Sequence, residues 1–196
     1  ALVYKKKSIF VVPFVTLVCE KEKDIKARIR GMKTVDASQR KIVVKACHGD
    51  INVLAVMSAD IIIITIEKAN KLINTLMARK LSSKIGCIAI DEIHTLADPD
   101  KGYNLEILVS KVKFLEMQAK RFSNSRLSPI KVQLVGMSAT VGNVNQISNW
   151  FGAGEPYVTQ FRPVPLTEYV VHGGIIYDMN RRRLASLSNE HVKHVY

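Results

Sequence analysis

Cysteine is scarce in this chain and odd in number. Cys19, Cys47 and Cys87 are the only three, and no C-x-x-C spacing occurs. That argues against a disulfide framework or a zinc site and fits a reducing compartment. Each lies in or beside an apolar segment, where cysteine packs as a small hydrophobe. Acidic residues are also few: 17 Asp and Glu stand against 29 Lys and Arg, a net charge of +12. The imbalance favours a polyanionic partner, nucleic acid first and an acidic membrane surface second, beside the plainer reading of a solvated lysine-rich face. Long hydrophobic runs are missing, since none approaches the ~20 residues a bilayer needs. Lys5-Lys6-Lys7 and the apolar residues 8–18 imitate a secretory leader. But Pro13 interrupts them, Glu20-Lys21-Glu22-Lys23-Asp24 follows at once, and no small-residue cleavage site appears. Low-complexity stretches and internal repeats are absent too. With 47% apolar and 23% charged residues, the chain is core-forming.

What is present is an alternation of strand-length apolar runs with segments of helical period. Residues 1–7 read as the tail of a helix, and because the chain opens on Ala1, further sequence is expected upstream. Residues 8–13 read as a short buried strand. A helix over 14–30 has Phe14, Leu17, Val18, Ile25 and Ile29 on one face. Residues 41–47 form a β-branched strand ending at the turn His48-Gly49-Asp50, and 60–65 hold four consecutive isoleucines. Ile66, Ala69, Ile73 and Leu76 mark a helix, 86–90 a strand stopping at Asp91, and Leu105, Leu108, Val109, Val112 and Leu115 a strongly periodic helix. A strand over 131–137, a short helix over 144–151 and a strand over 157–161 complete the series.

Unbroken apolar strands alternating with helices predict a parallel α/β sheet covered on both faces. In such sheets ligands lie at the carboxyl ends of the strands, so the polar residues just after each strand are the candidates for function. Residues 118–129 are polar, serine-containing and basic, and read as a surface loop. From Phe161 the pattern changes. Arg162-Pro163-Val164-Pro165 is a stiff connector, and residues 166–172 and 175–177 alternate about Gly173-Gly174 as a hairpin does.

Two motifs carry chemistry. Asp91-Glu92-Ile93-His94 ends an apolar strand. Adjacent carboxylates there suit a phosphate and magnesium site, one holding the ion and the other orienting and deprotonating a water. Ser138-Ala139-Thr140 ends another strand, where two small hydroxyls can bond a neighbouring carboxylate. Taken singly, the first string is also an ordinary polar turn and the second an ordinary helix cap.

Their order and surroundings resemble motifs II and III of the superfamily 2 DExH-box helicases. Pro13-Phe14-Val15-Thr16-Leu17-Val18-Cys19-Glu20-Lys21 is similar to that family's P-x-x-x-L-x-x-E-K segment, motif Ia, and Thr65-Ile66-Glu67-Lys68-Ala69-Asn70 to its T-x-E-K motif. Gly102-Tyr103-Asn104-Leu105-Glu106 is similar to the R-G-x-x-L-E stretch, with Lys101 where arginine is usual. Phe161-Arg162-Pro163-Val164-Pro165-Leu166 is similar to the connector into a second RecA-like domain. The T-I-E-K-A-N-x-L-I-N and Q-F-R-P-V-P-L forms are similar to the branch of helicase Q and of the helicase domain of DNA polymerase theta. RNA helicases of the same branch share the broader pattern.

The resemblance implies a RecA-like three-layer α/β/α fold with a mostly parallel sheet. Residues 1–160 would be the first RecA-like, ATP-binding domain, and 161–196 the connector and the start of the second. It implies ATP and Mg²⁺ as cofactors, single-stranded DNA as partner ahead of RNA, no membrane, and the second RecA-like domain elsewhere in the full-length protein. In a eukaryote it implies a nuclear DNA-repair enzyme that translocates 3′ to 5′. Asp91 would hold magnesium and Glu92 would activate the hydrolytic water. His94, Ser138 and Thr140 would couple nucleotide state to domain closure. Pro13, Thr16, Thr65, Glu67 and Lys68 would lie along the strand path, where amides and hydroxyls meet phosphates without reading sequence. Gly49, in its turn, is a further candidate phosphate contact. The departure is large. No G-x-x-x-x-G-K-[ST] loop occurs anywhere in the 196 residues, so the β/γ-phosphate cradle and its lysine are missing from this chain. The expectation is a chain without turnover of its own, and a non-catalytic nucleic-acid-binding module on the same fold is the alternative.

Overall fold

The computed structural model describes residues 5–34, 39–121, 132–139, 141–152, 155–159, 161, 164 and 166–186. The chain divides into two compact units, Ala1–Pro156 and Tyr157–Tyr196.

The first unit is built on a five-stranded sheet in the order β2-β3-β1-β4-β5, with every pair parallel. Its strands are β1 (Lys7–Val12), β2 (Val44–Cys47), β3 (Ile61–Thr65), β4 (Ile85–Ile90) and β5 (Gln133–Gly136). Its helices are α1 (Val15–Arg28), α2 (Ile66–Ala78), α3 (Gly102–Arg121) and α4 (Val144–Phe151). The run of isoleucines in β3 follows from burial on both faces. Strand side chains alternate sides, so a sheet covered twice needs apolar residues at every position. Ile62 and Ile64 join Ile9, Val11, Ile88 and Ile90 in one core with Leu72, Ile73 and Leu76 of α2 and Leu105, Leu108, Val109 and Val112 of α3. Ile63 turns the other way into a smaller core with Val12, Val44 and Val18 of α1. The layering is α/β/α, with a RecA-like parallel sheet.

Four sequence expectations need correction. The helix read over 1–7 does not reach Lys7, which opens β1 and whose ammonium donates to Ala59 O at 2.6 Å; residues 1–4 lie outside the described ones. The strand read over 41–47 starts only at Val44, where pairing with Ile61 of β3 begins, while Lys41 makes an isolated antiparallel bridge with Lys33. Helix α3 runs on to Arg121, past the expected break at 118, while 122–131 lie outside the described residues. No strand occurs among described residues 155–159 and 161: Tyr157 and Phe161 are 89% and 78% exposed, and among the described residues no strand pairs with them.

The second unit contains a three-stranded antiparallel sheet, β6 (Tyr169–His172), β7 (Ile175–Asp178) and β8 (Arg183–Ser186), in the order β6-β7-β8. Gly173 and Gly174, with φ of +57° and +75°, make the expected hairpin turn. Strand β8 follows a turn that the arginine run disguises. The Asp178 carboxylate organises it by accepting the amides of Asn180 and Arg182 at 2.9 and 2.8 Å. Of the connector, Arg162, Pro163 and Pro165 lie outside the described residues.

Candidate functional site

Register decides where the site lies. Val11 pairs with Ile64 on one side and Ile90 on the other, Cys47 with Ile64, and Ile90 with Gly136. The five strands therefore end level, and the residues that follow them emerge side by side along one edge of the sheet. Cys47 closes β2 here; burial pushes its thiol up, as it does that of Cys87, in keeping with cysteines that pack as hydrophobes.

Asp91 continues β4 by one bond, its amide donating to Val11 O at 2.9 Å. One carboxylate oxygen accepts the Glu92 amide at 3.1 Å, and the other lies 3.2 Å from Lys21 Nζ of α1. Glu92 then takes the left-handed conformation, φ +54° and ψ +49°, which costs a non-glycine residue about 1–2 kcal/mol. This ends the strand and swings the Glu92 carboxylate outward, 38% exposed. The next residues are fastened to β5: the Ile93 amide donates to Met137 O and the Met137 amide to Ile90 O, both at 2.9 Å. His94 Nδ1 consequently lies 3.0 Å from Ser138 Oγ and 3.3 Å from Glu92 Oε2. One ring nitrogen faces both segments, so four of the expected residues, Asp91, Glu92, His94 and Ser138, form one contiguous group. Thr140 lies outside the described residues.

The remaining candidates gather at the ends of β1, β2 and β3. Pro13 is buried, while Thr16 is exposed in the first turn of α1 and Glu67 in that of α2. Thr65 is buried, 5% exposed. Lys68 is drawn to the loop after β2, donating to Ile51 O at 3.2 Å. Gly49, at φ +53°, sits in the exposed turn before that loop. Phe14 and Thr65 precede α1 and α2, and neither supplies a side-chain cap. First-turn amides left without side-chain caps suit anions.

Two residues of this edge escaped the sequence reading. Lys21 was part of a motif without a role, and its contact with Asp91 arises only because α1 folds back onto the sheet. Lys101 was visible only as a departure from arginine. Its ammonium donates to Pro13 O at 2.9 Å, stands 3.9 Å from Glu67 Oε1, and covers the Phe14 ring at 4.4 Å from the centroid.

The donor set bears on magnesium. Mg²⁺ bound with a nucleotide takes one or two carboxylates and fills its remaining sites with phosphates and water. Asp91 offers one hard oxygen donor in that style, and Lys21 already holds a cation against it. No cluster of three or more metal ligands occurs among the described residues. The group fits a nucleotide-borne ion and not a self-sufficient protein cage.

Residues 2–147 match the family profile described as DEAD/DEAH box helicase. The chain belongs to the DEAD/DEAH box helicases. Among relatives of this helicase domain, DNA polymerase theta of Mus musculus is 33% identical over 183 residues, 91% of this chain and 7% of that protein. The ATP-dependent DNA helicase Hel308 of Caldivirga maquilingensis is 33% identical over 181 residues, 91% of this chain and 21% of that one. The Helicase POLQ-like protein of Homo sapiens is 31% identical over 120 residues, 61% of this chain and 10% of that protein. The chain thus spans about a fifth or less of these relatives. Family membership brings the helicase ATPase class, with ATP and Mg²⁺ in general use. No described helix is long and apolar enough to cross a membrane.

Proposed function

We propose that the chain is part of the motor of an ATP-dependent DNA helicase acting in repair and moving 3′ to 5′ on single-stranded DNA. In this reading the first RecA-like domain covers residues 1–160, and 161–196 lead into the second. The observation that carries it is the junction at His94 Nδ1, which joins the D-E-x-H and S-A-T segments at one sheet edge. Asp91 would hold Mg²⁺, which supplies charge neutralisation at the phosphates when bound. The exposed Glu92 carboxylate would orient a water and accept its proton. His94 sits where a change at Glu92 reaches Ser138, so these two, with Thr140, would pass nucleotide state to the neighbouring domain. Pro13, Thr16, Gly49, Thr65, Glu67 and Lys68 would line the strand path. The relatives named as DNA helicases support DNA over RNA, and a deoxyribose preference is the finer test of the two.

The test uses the 196-residue chain and fluorescein-labelled oligonucleotides at several KCl concentrations. Sequence-independent binding to single-stranded DNA is expected, with a log–log salt slope of about −0.7 per phosphate contact, and with RNA of the same sequence bound more weakly. Binding indifferent to salt, or strongly dependent on base sequence, overturns the reading. Tighter binding to RNA transfers it to an RNA helicase. No ATP turnover above buffer is expected from this chain, which lacks the phosphate-loop lysine; DNA-stimulated phosphate release contradicts that.

A further inference from the structure

We infer that Lys101 is a positioning residue that locks the loop after β1 to the first turn of α2, and so sets the spacing of the two segments along which a single strand would lie. The inference rests on the nucleic-acid reading above. It names a residue outside the motifs that meet the strand and gives it a role other than a phosphate contact.

The backbone beneath Lys101 is held from both sides. The Asp98 carboxylate accepts the amides of Asp100 and Lys101 at 2.8 and 3.0 Å, and Asp98 O accepts the Gly102 amide at 2.8 Å. Gly102 lies so close to the Leu96 carbonyl that a Cβ there would overlap it. From this fixed base the side chain crosses to Pro13, 88 residues earlier in the chain. Pro13 precedes the residue that caps α1, so its carbonyl has no place in the helix ladder, and the ammonium satisfies it. The same charge attracts the Glu67 carboxylate and the face of the Phe14 ring. Phe14 is 48% exposed, and the cation covers one face of its ring at this surface.

Two properties separate this arrangement from a phosphate hook. The Lys101 side chain is 25% exposed against 46% for Glu67, so the charge is turned toward the protein. And a cation between the positive ends of two helices is unfavourable unless local acceptors offset it; Pro13 O and Glu67 are those acceptors. Arginine, usual at this position in the similar helicases, offers the same charge with a longer reach, which makes it the conservative replacement.

The experiment compares the 196-residue chain with Lys101→Met and Lys101→Arg, by hydrogen exchange without nucleic acid and by single-stranded DNA affinity across a KCl series. For Lys101→Met we expect faster exchange at the amides of residues 14–18 and 66–70. We also expect about tenfold weaker binding, the scale of one lost charge-assisted hydrogen bond, and an unchanged salt slope. Lys101→Arg should restore both affinity and exchange to near the parent chain. A slope shallower by about 0.7 in Lys101→Met would mean that Lys101 touches phosphate itself and overturns the inference. So does unchanged exchange, which denies the lock, and so does faster exchange with unaltered affinity, which denies positioning. If the parent chain binds no single strand, the functional reading fails, while the exchange data still judge the lock.

Discussion

The two ends of the parallel sheet handle a carboxylate in opposite ways. At the amino end, just before β3, Asp60 is saturated: its oxygens lie 2.6 and 2.7 Å from the Arg40 guanidinium, and Oδ2 also accepts the Val43 amide at 2.9 Å. The Arg40 hydrogen bonds hold its carboxyl below the usual carboxylate range despite burial. At the carboxyl end, Asp91 has one amide and a lysine at 3.2 Å, while Glu92 stands outward on a left-handed residue. A carboxylate surrounded by fixed donors stabilises the fold and has no capacity left for chemistry. Asp91, only half satisfied, and Glu92, on a costly backbone conformation with its carboxylate turned outward, keep acceptor capacity for a ligand. The contrast fits a stabilising role for one edge and the proposed ligand-binding role for the other, and each can be broken by substitution.

The largest effect should come from the carboxyl edge. In a longer protein that carries the phosphate loop and the second RecA-like domain, Glu92→Gln should leave ATP and DNA affinity nearly unchanged. It should lower turnover by about 10²- to 10⁴-fold, since glutamine can hold the water but not accept its proton. Asp91→Asn should weaken the magnesium–nucleotide complex as well as the rate. Neither substitution should move the melting temperature much. Titration calorimetry, steady-state phosphate release and thermal melts on both variants check this. Near-normal turnover in Glu92→Gln would remove the chemical basis of the helicase reading and leave the D-E-x-H string a polar turn.

Much of this contrast was legible in the sequence, and its limits have physical causes. Strand positions were readable because a doubly covered strand needs apolar residues throughout, as in Ile61 to Ile64. Parallel pairing put the polar residues after each strand at one edge, so Asp91 and Ser138 could each be placed at a strand's carboxyl end; that their strands are neighbours came only with the observed order. Long-range side-chain contacts were not readable. Lys21 meets Asp91 only through the return of α1 onto the sheet, and Lys101 meets Pro13 from the turn before α3; nothing local marks a lysine for such a contact. The misread strand at 157–161 shows the reverse failure: apolar residues with strand propensity but no partner strand. Strand β8 was missed because its pairing hangs on one Asp178 turn, while its own exposed residues lack the alternation that marks a half-buried strand.

A middle-sized effect should appear where backbone packing supports the carboxyl edge. Gly102→Ala places a methyl group against the Leu96 carbonyl, with Thr95 O also near. The start of α3 or the short helical turn over Ile93–Ala97 has to shift. Overpacking of this kind costs about 1–3 kcal/mol. Because the strained atoms are backbone, no rotamer change can relieve them. Chemical denaturation should show the loss. Exchange should also quicken at residues 93–102, linking the Glu92 and Lys101 segments to one common support. An alanine variant as stable as the parent would mean that this support is soft.

The smallest effect, and the one that tests the amino edge by itself, is the pH dependence carried by Asp60. Its folded carboxyl titrates below the ordinary value because Arg40 and the Val43 amide favour the charged form. For an acid whose folded pKa is depressed, the stabilisation is fully present above the unfolded value, about 3.9. It is lost as pH falls through the lower, folded one. Arg40 is half exposed, at 49%, so solvent screening keeps the contribution near 1 kcal/mol, well short of a fully buried pair. Asp60→Asn should therefore lower stability by about that amount at pH 7, and the gap should narrow as the pH is taken below 4, because the parent protonates toward the state the asparagine imitates. Urea unfolding of both chains between pH 7 and pH 3 reads the gap directly. Single-stranded DNA affinity at pH 7 should not change, because the substitution lies at the opposite edge of the sheet from the proposed strand path. A gap that stays constant with pH would mean that the Asp60 side chain acts through packing and not through its charge. A change in DNA affinity would break the division of labour between the two edges.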